Sequence, residues 1–452
     1  MSVKKNRINL SRITSSGNFI PEIDGLRFVA IVSVVLFHLY GFIENKDGSV
    51  YNTIYNFDFI ANFLKNGNFG VELFFVLSGF ILGLPFAKHY LKDSNKVSLK
   101  SYFLRRISRL EPPYIIVMFL LLMGSVFVSK NLSTTEGFQS FLASIAYMHN
   151  FIYEEPSFIN TVAWSLEIEI QFYILAPILS LFFSINNNLT RRFLLIFTII
   201  VFSVFSLLVI LPFLSILNYL HYFLVGFLLV DFYLMEGVTN KTSILRNRLT
   251  IIELLGFAAV TVSLVFAGMK LDLGLGFTIM FGVLTLFTLS LLLFVNSYLL
   301  ESVSNKTSIL RKSFTILALL LIFSCNEKYF DFTFQKIIWE INVLILIFCS
   351  YYNIILRKSI PFFSLKTITN IGGMCYTIYL LHFAIISFVG NPLLSFQFSD
   401  NPILNIGLYS IFIISSILLI SVVFFVLIER PCMNKNWPNK LKNYVRRFIT
   451  AN

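Results

Sequence analysis

The chain has 452 residues, of which 57% are hydrophobic and only 13% are charged, and its formal net charge is +12. Soluble proteins carry about twice that share of charged residues, and a soluble fold of this length cannot bury so much apolar surface. The composition excludes a soluble globular enzyme, a disordered chain and a disulfide-stapled secreted domain. It predicts an all-α integral membrane protein that crosses the lipid bilayer many times.

Apolar segments near the length of a membrane-spanning helix recur along the whole chain. They predict about twelve transmembrane helices, within a range of 10–12, at roughly 26–43, 69–87, 113–129, 168–185, 193–211, 217–235, 250–268, 276–298, 309–325, 336–356, 371–390 and 403–428. The ninth has the shortest uninterrupted apolar part, so it is the span least certain to cross fully.

The basic residues predict the orientation. With the N-terminus in the cytoplasm, 29 of the 35 Lys and Arg residues fall in cytoplasmic segments, as the positive-inside rule requires. We therefore expect a cytoplasmic tail over 1–25, a membrane domain over 26–428 and a basic cytoplasmic tail over 429–452 with no appended esterase-like domain. This distribution also favours topology over nucleic-acid binding as the cause of the positive charge.

One internal repeat lies between predicted spans. Residues 233–246 read YLMEGVTNKTSILR and residues 298–311 read YLLESVSNKTSILR, an offset of 65 residues. A repeat of this period would add two spans. Local duplication without a chemical role is the favoured interpretation.

Ionisable groups at membrane depth are costly, so each one is a candidate functional residue. Arg27 and His38 are eleven residues apart on the first span, about three helical turns, and share one face. Glu72 begins the second span at a depth that matches His38, and could orient its imidazole. The structural alternatives are an interfacial arginine, a packing histidine and a glutamate that complements the helix dipole.

A basic linker precedes the third span. It reads SYFLRRISRLEPPY and carries Arg105, Arg106 and Arg109, of which the last two are one helical turn apart. Guanidinium pairs at that spacing suit phosphates, although positive-inside charge or anionic lipid would also explain them. We expect the prolines at 112 and 113 to fix the entry into the third span.

The outer side collects further polar residues. AWSLEIEIQFY places Trp164, Glu167 and Glu169 at the outer start of the fourth span, where two glutamates need a wet cavity or partners. In GMCYTIYLLH the residues Tyr376, Tyr379 and His382 recur every three positions and share one helix face. Phosphate-binding groups therefore gather inside and polar groups outside, which suggests a cytoplasmic donor and an external acceptor.

These segments resemble the membrane acyltransferase family 3. IDGLRFVAIVSVVLFH has the Arg-x10-His pattern at Arg27 and His38, and FGVELFFVLSGFIL, RRISRLEPPY, WSLEIEIQFY and GMCYTIYLLH follow in the family's order. The family glutamate in the fourth of these motifs corresponds to Glu169. Cys375 stands where a serine is usual, and the family core has about ten spans, where twelve are counted in this chain.

The resemblance implies an O-acyltransferase of the bacterial cytoplasmic (inner) membrane. Its donor would be acyl-CoA, expected to be acetyl-CoA, and its acceptor a hydroxyl of an extracytoplasmic carbohydrate such as a surface polysaccharide or lipopolysaccharide O-antigen, with no metal. It implies catalytic residues His38, Glu72 and Glu169, donor-binding residues Arg27, Arg105, Arg106 and Arg109, and acceptor-binding residues Ser78, Trp164, Tyr376, Tyr379 and His382. Direct transfer and an acyl-enzyme intermediate both remain open, as does the oligomeric state.

Two other classes compete. A proton-coupled secondary transporter would also have many spans with intramembrane His and Glu, but the repeat covers one pair of spans rather than two halves. A membrane scaffold or sensor would leave the intramembrane ionisable residues without a purpose.

Overall fold

The structure is a computed structural model that describes residues 10–13, 19–46, 58–236, 333–356, 360–434 and 437–438, together with 312, 315, 316, 319, 320 and 358. Within these residues the regular elements are all helical. The α-helices of eight or more residues, with one shorter helix, α6, are α1 Pro21–Lys46, α2 Asp58–Lys65, α3 Phe69–Lys92, α4 Leu99–Met123, α5 Thr134–Ile145, α6 His149–Tyr153, α7 Trp164–Leu179, α8 Asn188–Leu208, α9 Leu220–Glu236, α10 Thr333–Ile355, α11 Lys366–Gly373, α12 Cys375–Leu393 and α13 Pro402–Phe424.

Seven helical segments in the described part of the chain are long and apolar enough to cross a membrane. They correspond to the predicted first to fifth, eleventh and twelfth spans, which confirms an all-helical membrane protein. The predicted sixth and tenth spans correspond to α9 and α10, whose apolar stretches are shorter. The seventh and eighth spans, most of the ninth and nearly all of the repeat lie outside the described residues, so the total of twelve and the side of each terminus stay predictions.

The helix that carries the third span begins earlier than the sequence suggested. α4 starts at Leu99, where the side chain of Ser98 accepts the N–H of Ser101, and it continues through both prolines. A proline at 112 removes the helical partner of the Ser108 carbonyl, but the indole Nε1 of Trp437 donates to that carbonyl at 2.8 Å. The prolines therefore do not begin this helix, because a cap starts it and a tryptophan replaces the missing hydrogen bond. That they lie at the entry into the membrane stays a prediction.

The chain divides into two compact units, each built from separate stretches. Unit 1 contains α1, α4, α5, α6, α11, α12, α13 and residues 164–167 at the start of α7. In it α1 packs against α11 and α12. A Cβ at Gly372 would lie 1.8 Å from the carbonyl oxygen of Asp24, so only glycine permits this approach of α11 to the first turn of α1.

Unit 2 contains α2, α3, α8, α9, α10 and the remainder of α7. α3 packs closely along α9, because a Cβ at Gly79 would lie 2.1 Å from the carbonyl oxygen of Phe223. The ring of Phe223 stacks on those of Phe75 and Phe172, with centroids 4.7 Å and 4.0 Å away. The small residues of the SGF segment therefore permit the close helix contact that their size suggested.

Candidate active site

Two histidines from helices far apart in sequence meet in unit 1. His38 on α1 and His382 on α12 have ring centroids 5.0 Å apart, and His382 Nε2 lies 3.2 Å from His38 Nδ1. His382 is fully buried, whereas His38 is partly exposed. The structure thus brings together two residues that the sequence assigned to different roles.

The hydrogen bonds determine which ring nitrogens carry protons. His382 Nδ1 faces the carbonyl oxygens of Tyr379 and Ile378 at 2.8 Å and 3.1 Å, so it is the N–H donor and its Nε2 is an acceptor. His38 Nδ1, which faces that Nε2 and the carbonyl of Val34 at 3.0 Å, is therefore also protonated. Among the described residues none bonds to His38 Nε2, which keeps an available lone pair.

The two tyrosines that precede His382 bind different groups of unit 1. The Tyr379 hydroxyl lies 2.6 Å from Ser165 Oγ and donates to the Val162 carbonyl at 2.9 Å. The Tyr376 hydroxyl donates to the Leu110 carbonyl of α4 at 2.9 Å. Tyr379 therefore connects α12 to the WSLE segment beside Trp164, and Tyr376 connects it to the arginine-bearing helix.

One carboxylate joins two arginines at the start of α1. Asp24 is buried, and it accepts from Arg27 Nη1 at 3.0 Å and from Arg12 Nε at 2.7 Å. Arg12 precedes the helix and was not predicted as a site residue. Burial, and then the charge of Arg27, lower the pKa of Arg12 to about 10.

The predicted phosphate-binding arginines on α4 separate into two environments. Arg109 interacts electrostatically with Arg27, Arg106 and a glutamate at the end of the last span, Glu429. Arg105 is exposed and does not act on Arg109. The structure thus groups Arg27, Arg106 and Arg109 and leaves Arg105 apart from them.

The two glutamates of the WSLEIEIQF segment have different partners. Glu167 is buried and accepts the backbone N–H groups of His149 and Asn150 at 3.2 Å and 3.0 Å, so it caps α6 within unit 1. Glu169 lies in unit 2, where its Oε1 accepts from Ser78 Oγ at 2.7 Å and from the Tyr173 hydroxyl at 2.6 Å. Glu167 therefore has a structural role.

Glu72, in the first turn of α3, also belongs to unit 2. The expected orientation of His38 by Glu72 or Glu169 joins residues of different units and stays a prediction.

Residues 20–297 match the acyltransferase 3 family, described as an acyltransferase domain. The chain belongs to this family. The match includes Arg27, His38, Ser78 and Glu169, and it ends before Tyr376, Tyr379 and His382. The contact between His38 and His382 therefore joins the matched part to a later helix.

Named relatives of this acyltransferase 3 chain come from bacteria. It is 30% identical over 182 residues to the peptidoglycan O-acetyltransferase of Listeria monocytogenes. The aligned region covers 37% of this chain and 25% of the relative. It is 31% identical over 170 residues to a protein of Staphylococcus aureus strain COL that has the provisional name O-acetyltransferase. Here the aligned region covers 36% of this chain and 24% of the relative. The chain thus spans about a quarter of the relatives it matches, and it matches no solved structure.

Sequence reasoning about this acyltransferase 3 domain missed a buried glutamate. Glu429 is buried at the end of the last span, where one carboxylate oxygen accepts from the backbone N–H and the hydroxyl of Thr377. It also interacts electrostatically with Arg109 and Arg27. A lone acidic residue at the end of a long apolar run, in LIERP, was the available signal.

A second missed cluster lies in unit 2. Glu340 Oε1 lies 3.0 Å from His221 Nε2 and accepts from the Tyr222 hydroxyl at 2.8 Å, and all three residues are buried. His221 and Glu340 are 119 positions apart, so no local spacing could indicate the pair. It joins α9 to α10.

Proposed function

We propose that this chain is an integral membrane O-acetyltransferase that moves an acetyl group from cytoplasmic acetyl-CoA to a hydroxyl of a cell-surface carbohydrate, with the bacterial cytoplasmic membrane as its location. Family membership supports acyl transfer, and the names of the relatives support an acetyl group. The observation that carries the proposal is the lone pair on His38 Nε2, which the contact with His382 makes available.

His38 acts as the general base. Its Nε2 takes the proton of the acceptor hydroxyl while that oxygen attacks the thioester carbonyl carbon and forms a tetrahedral intermediate. The C–S bond then breaks, the acetyl ester is released, and the leaving sulfur receives the proton from His38 Nε2. The histidine returns to its starting state, so direct transfer needs no acyl-enzyme.

His382 is a positioning residue in this scheme. Its Nδ1–H is held by two backbone carbonyls, so its Nε2 can only accept, and it accepts the proton on His38 Nδ1. That contact orients the His38 ring and supports the imidazolium that forms when Nε2 takes a proton. In this scheme His38 has no second N–H for a glutamate before it takes the proton of the acceptor, so orientation by Glu72 or Glu169 stays the alternative expected from the sequence.

The acceptor is a polymer of sugars outside the membrane. Relatives named peptidoglycan O-acetyltransferases favour a cell-wall glycan as the first acceptor to test. A surface polysaccharide or lipopolysaccharide O-antigen, expected from the family resemblance, forms the second group. Trp164, Tyr376 and Tyr379 would contact the sugar, since aromatic faces suit apolar ring surfaces.

Transfer in purified protein tests the proposal. Protein in detergent receives isotopically labelled acetyl-CoA and fragments of each glycan, without any ion gradient, and mass spectrometry follows the label into an ester. We expect ester formation by the wild type and a loss of at least about a hundredfold in His38→Ala, the usual contribution of a general base.

The matched control is His89→Ala, because His89 lies at the end of α3, where its Nδ1 contacts the Ser94 carbonyl at 2.8 Å. It should retain the rate of the wild type. An active His38→Ala protein would contradict the mechanism. Failure of every glycan to accept acetyl, together with gradient-dependent uptake of a solute in vesicles, would instead favour the transporter.

A further inference from the structure

Arg12 lies before the first span, yet its side chain reaches the arginine cluster of unit 1. Its Nε donates to Asp24 Oδ2 while Arg27 donates to Asp24 Oδ1, so a single carboxylate holds both guanidiniums. The Arg12 side chain is only 10% exposed. Its placement is therefore that of a site residue and not of a solvated tail.

The surroundings fix this segment in place. Arg430 Nε donates to the carbonyl oxygen of Ser11 at 3.3 Å, which ties the segment to the end of the last span. A Cβ at Gly373 would lie 3.7 Å from Arg12 Cβ, so the segment packs against the end of α11. The Arg12 guanidinium also lies 5.9 Å from the Phe19 ring centroid.

Four arginines of unit 1 act on one another in this cluster. Arg12 interacts electrostatically with Arg27 and Arg109, and Arg109 interacts with Arg106. The carboxylates that act on Arg12 and Arg109 are Asp24 and Glu429. Mostly buried arginines that lie close together repel one another, and a bound anion stabilises them.

Arg12 also has donors to offer. Its Nε is engaged by Asp24, but within the described part of the chain neither of its Nη atoms forms a hydrogen bond. Two adjacent N–H groups in one plane match two oxygens of a phosphate. Lysine could supply the charge but not this fork.

We propose that Arg12 binds a phosphate of the acyl donor, as an additional arginine of the donor site beside Arg27 and Arg109. The inference rests on the proposed function, because it takes the CoA thioester as the donor. The segment before the first span then forms part of the enzyme and does not merely lead into it.

Two donors test the proposal, since S-acetylpantetheine carries the same thioester as acetyl-CoA and has no phosphate. We expect Arg12→Ala to raise KM for acetyl-CoA about tenfold, because a hydrogen bond between charged groups is lost. The same variant should keep kcat, and KM for S-acetylpantetheine, within about twofold of the values of the wild type, because neither depends on a phosphate. Arg12→Lys should show a smaller rise of about threefold, since charge is kept and the fork is lost.

Arg192→Ala is the matched control. Arg192 also donates its Nε to a shared aspartate, Asp231, and its side chain is 12% exposed, but it lies in unit 2. Its KM for both donors should equal that of the wild type.

An unchanged KM for acetyl-CoA in Arg12→Ala, or an equal rise for both donors, would overturn the inference. If that variant does not fold, Arg12→Lys decides by the same comparison of donors. Absence of acetyl transfer by the wild type from either donor would instead refute the proposed function.

Discussion

Two aspartates, one in each unit, hold pairs of arginines in the same way and leave them in different states. Asp24 accepts from Arg12 and Arg27 in unit 1, and Asp231 accepts from Arg191 and Arg192 in unit 2. In unit 2 the other donors of Arg191 reach the Ile185 carbonyl and the Asn188 side chain. In unit 1 both Nη atoms of Arg12 form no hydrogen bond with described residues.

The difference separates a structural ion cluster from a candidate binding site. Arg192 places its guanidinium 3.7 Å from the Phe232 ring centroid, so even its flat face is covered. Arg191 has its donors paired inside the protein, whereas the Nη atoms of Arg192, like those of Arg12, form no hydrogen bond with described residues. What distinguishes Arg12 from Arg192 is its surroundings, because Arg12 interacts with Arg27 and Arg109 whereas the ring of Phe232 covers the guanidinium of Arg192.

The largest expected effect comes from removing the charge of Asp231, the carboxylate of the unit 2 cluster. Asp231→Asn leaves Arg191, which is fully buried, without its counter-charge, and should lower the free energy of unfolding by about 3–5 kcal/mol. Asp24→Asn should cost less stability, because Arg12 and Arg27 keep 10% and 14% exposure to water. Thermal unfolding in detergent measures both, and equal losses would remove the distinction between the clusters.

The histidine contact of unit 1 provides the next effect. His382→Ala removes the acceptor that orients His38, and should lower kcat about a hundredfold with KM for acetyl-CoA within about twofold. The comparison is His221→Ala, the buried histidine of unit 2, which should cost stability but leave the kcat of the folded protein unchanged. A similar fall in kcat for both variants would mean that His382 acts through packing alone.

Helix packing in unit 2 gives a smaller effect on stability. Gly79→Ala places a methyl group 2.1 Å from the Phe223 carbonyl, and should cost about 1–3 kcal/mol as α3 and α9 move apart. Gly41→Ala is the control on α1, because no atom lies within 4 Å of its Cβ, and a helical alanine there should be neutral or slightly stabilising. Unfolding in detergent compares the two, and a neutral Gly79→Ala would show that the contact can relax.

The smallest effect concerns pH and the segment between α5 and α7. His149 is buried between Ser140 Oγ and the Glu155 carbonyl, and burial lowers its pKa. The unfolded chain, with a histidine pKa of about 6.5, then binds protons more readily than the folded protein. Stability from this residue is complete above that pH and is lost as pH falls below it.

The melting temperature of the wild type should therefore fall more than that of His149→Gln between about pH 7.5 and about pH 5.5. Parallel curves for the two proteins would show that another group causes the acid sensitivity.

The sequence predicted the helices that carry the site better than it predicted the contacts. Arg27 and His38 lie on α1 as expected, because apolar length and an eleven-residue spacing are local properties. The sequence predicted the helix boundaries less accurately. α4 begins fourteen residues before the predicted span, because its first part is basic and capped by a serine and so has no apolar pattern that would mark a span. Arg12 and Glu429 were missed, since a polar residue near the end of a span looks the same whether it faces water or a partner.

By itself the sequence determined that this is a helical membrane protein of the acyltransferase 3 type, because hydropathy, charge distribution and short motifs are written along one dimension. The tertiary structure alone decided which polar groups meet. Two contacts, that of His38 with His382 and that of Arg12 with Arg27 through Asp24, depend on helices that pack closely because a glycine lies where they meet. The spacing of residues along the sequence does not indicate where two helices will pack together. The +12 net charge predicted only the topology of the chain. The structure distinguishes arginines such as Arg191, whose donors are paired inside the protein, from arginines such as Arg12, which has donors available to a phosphate.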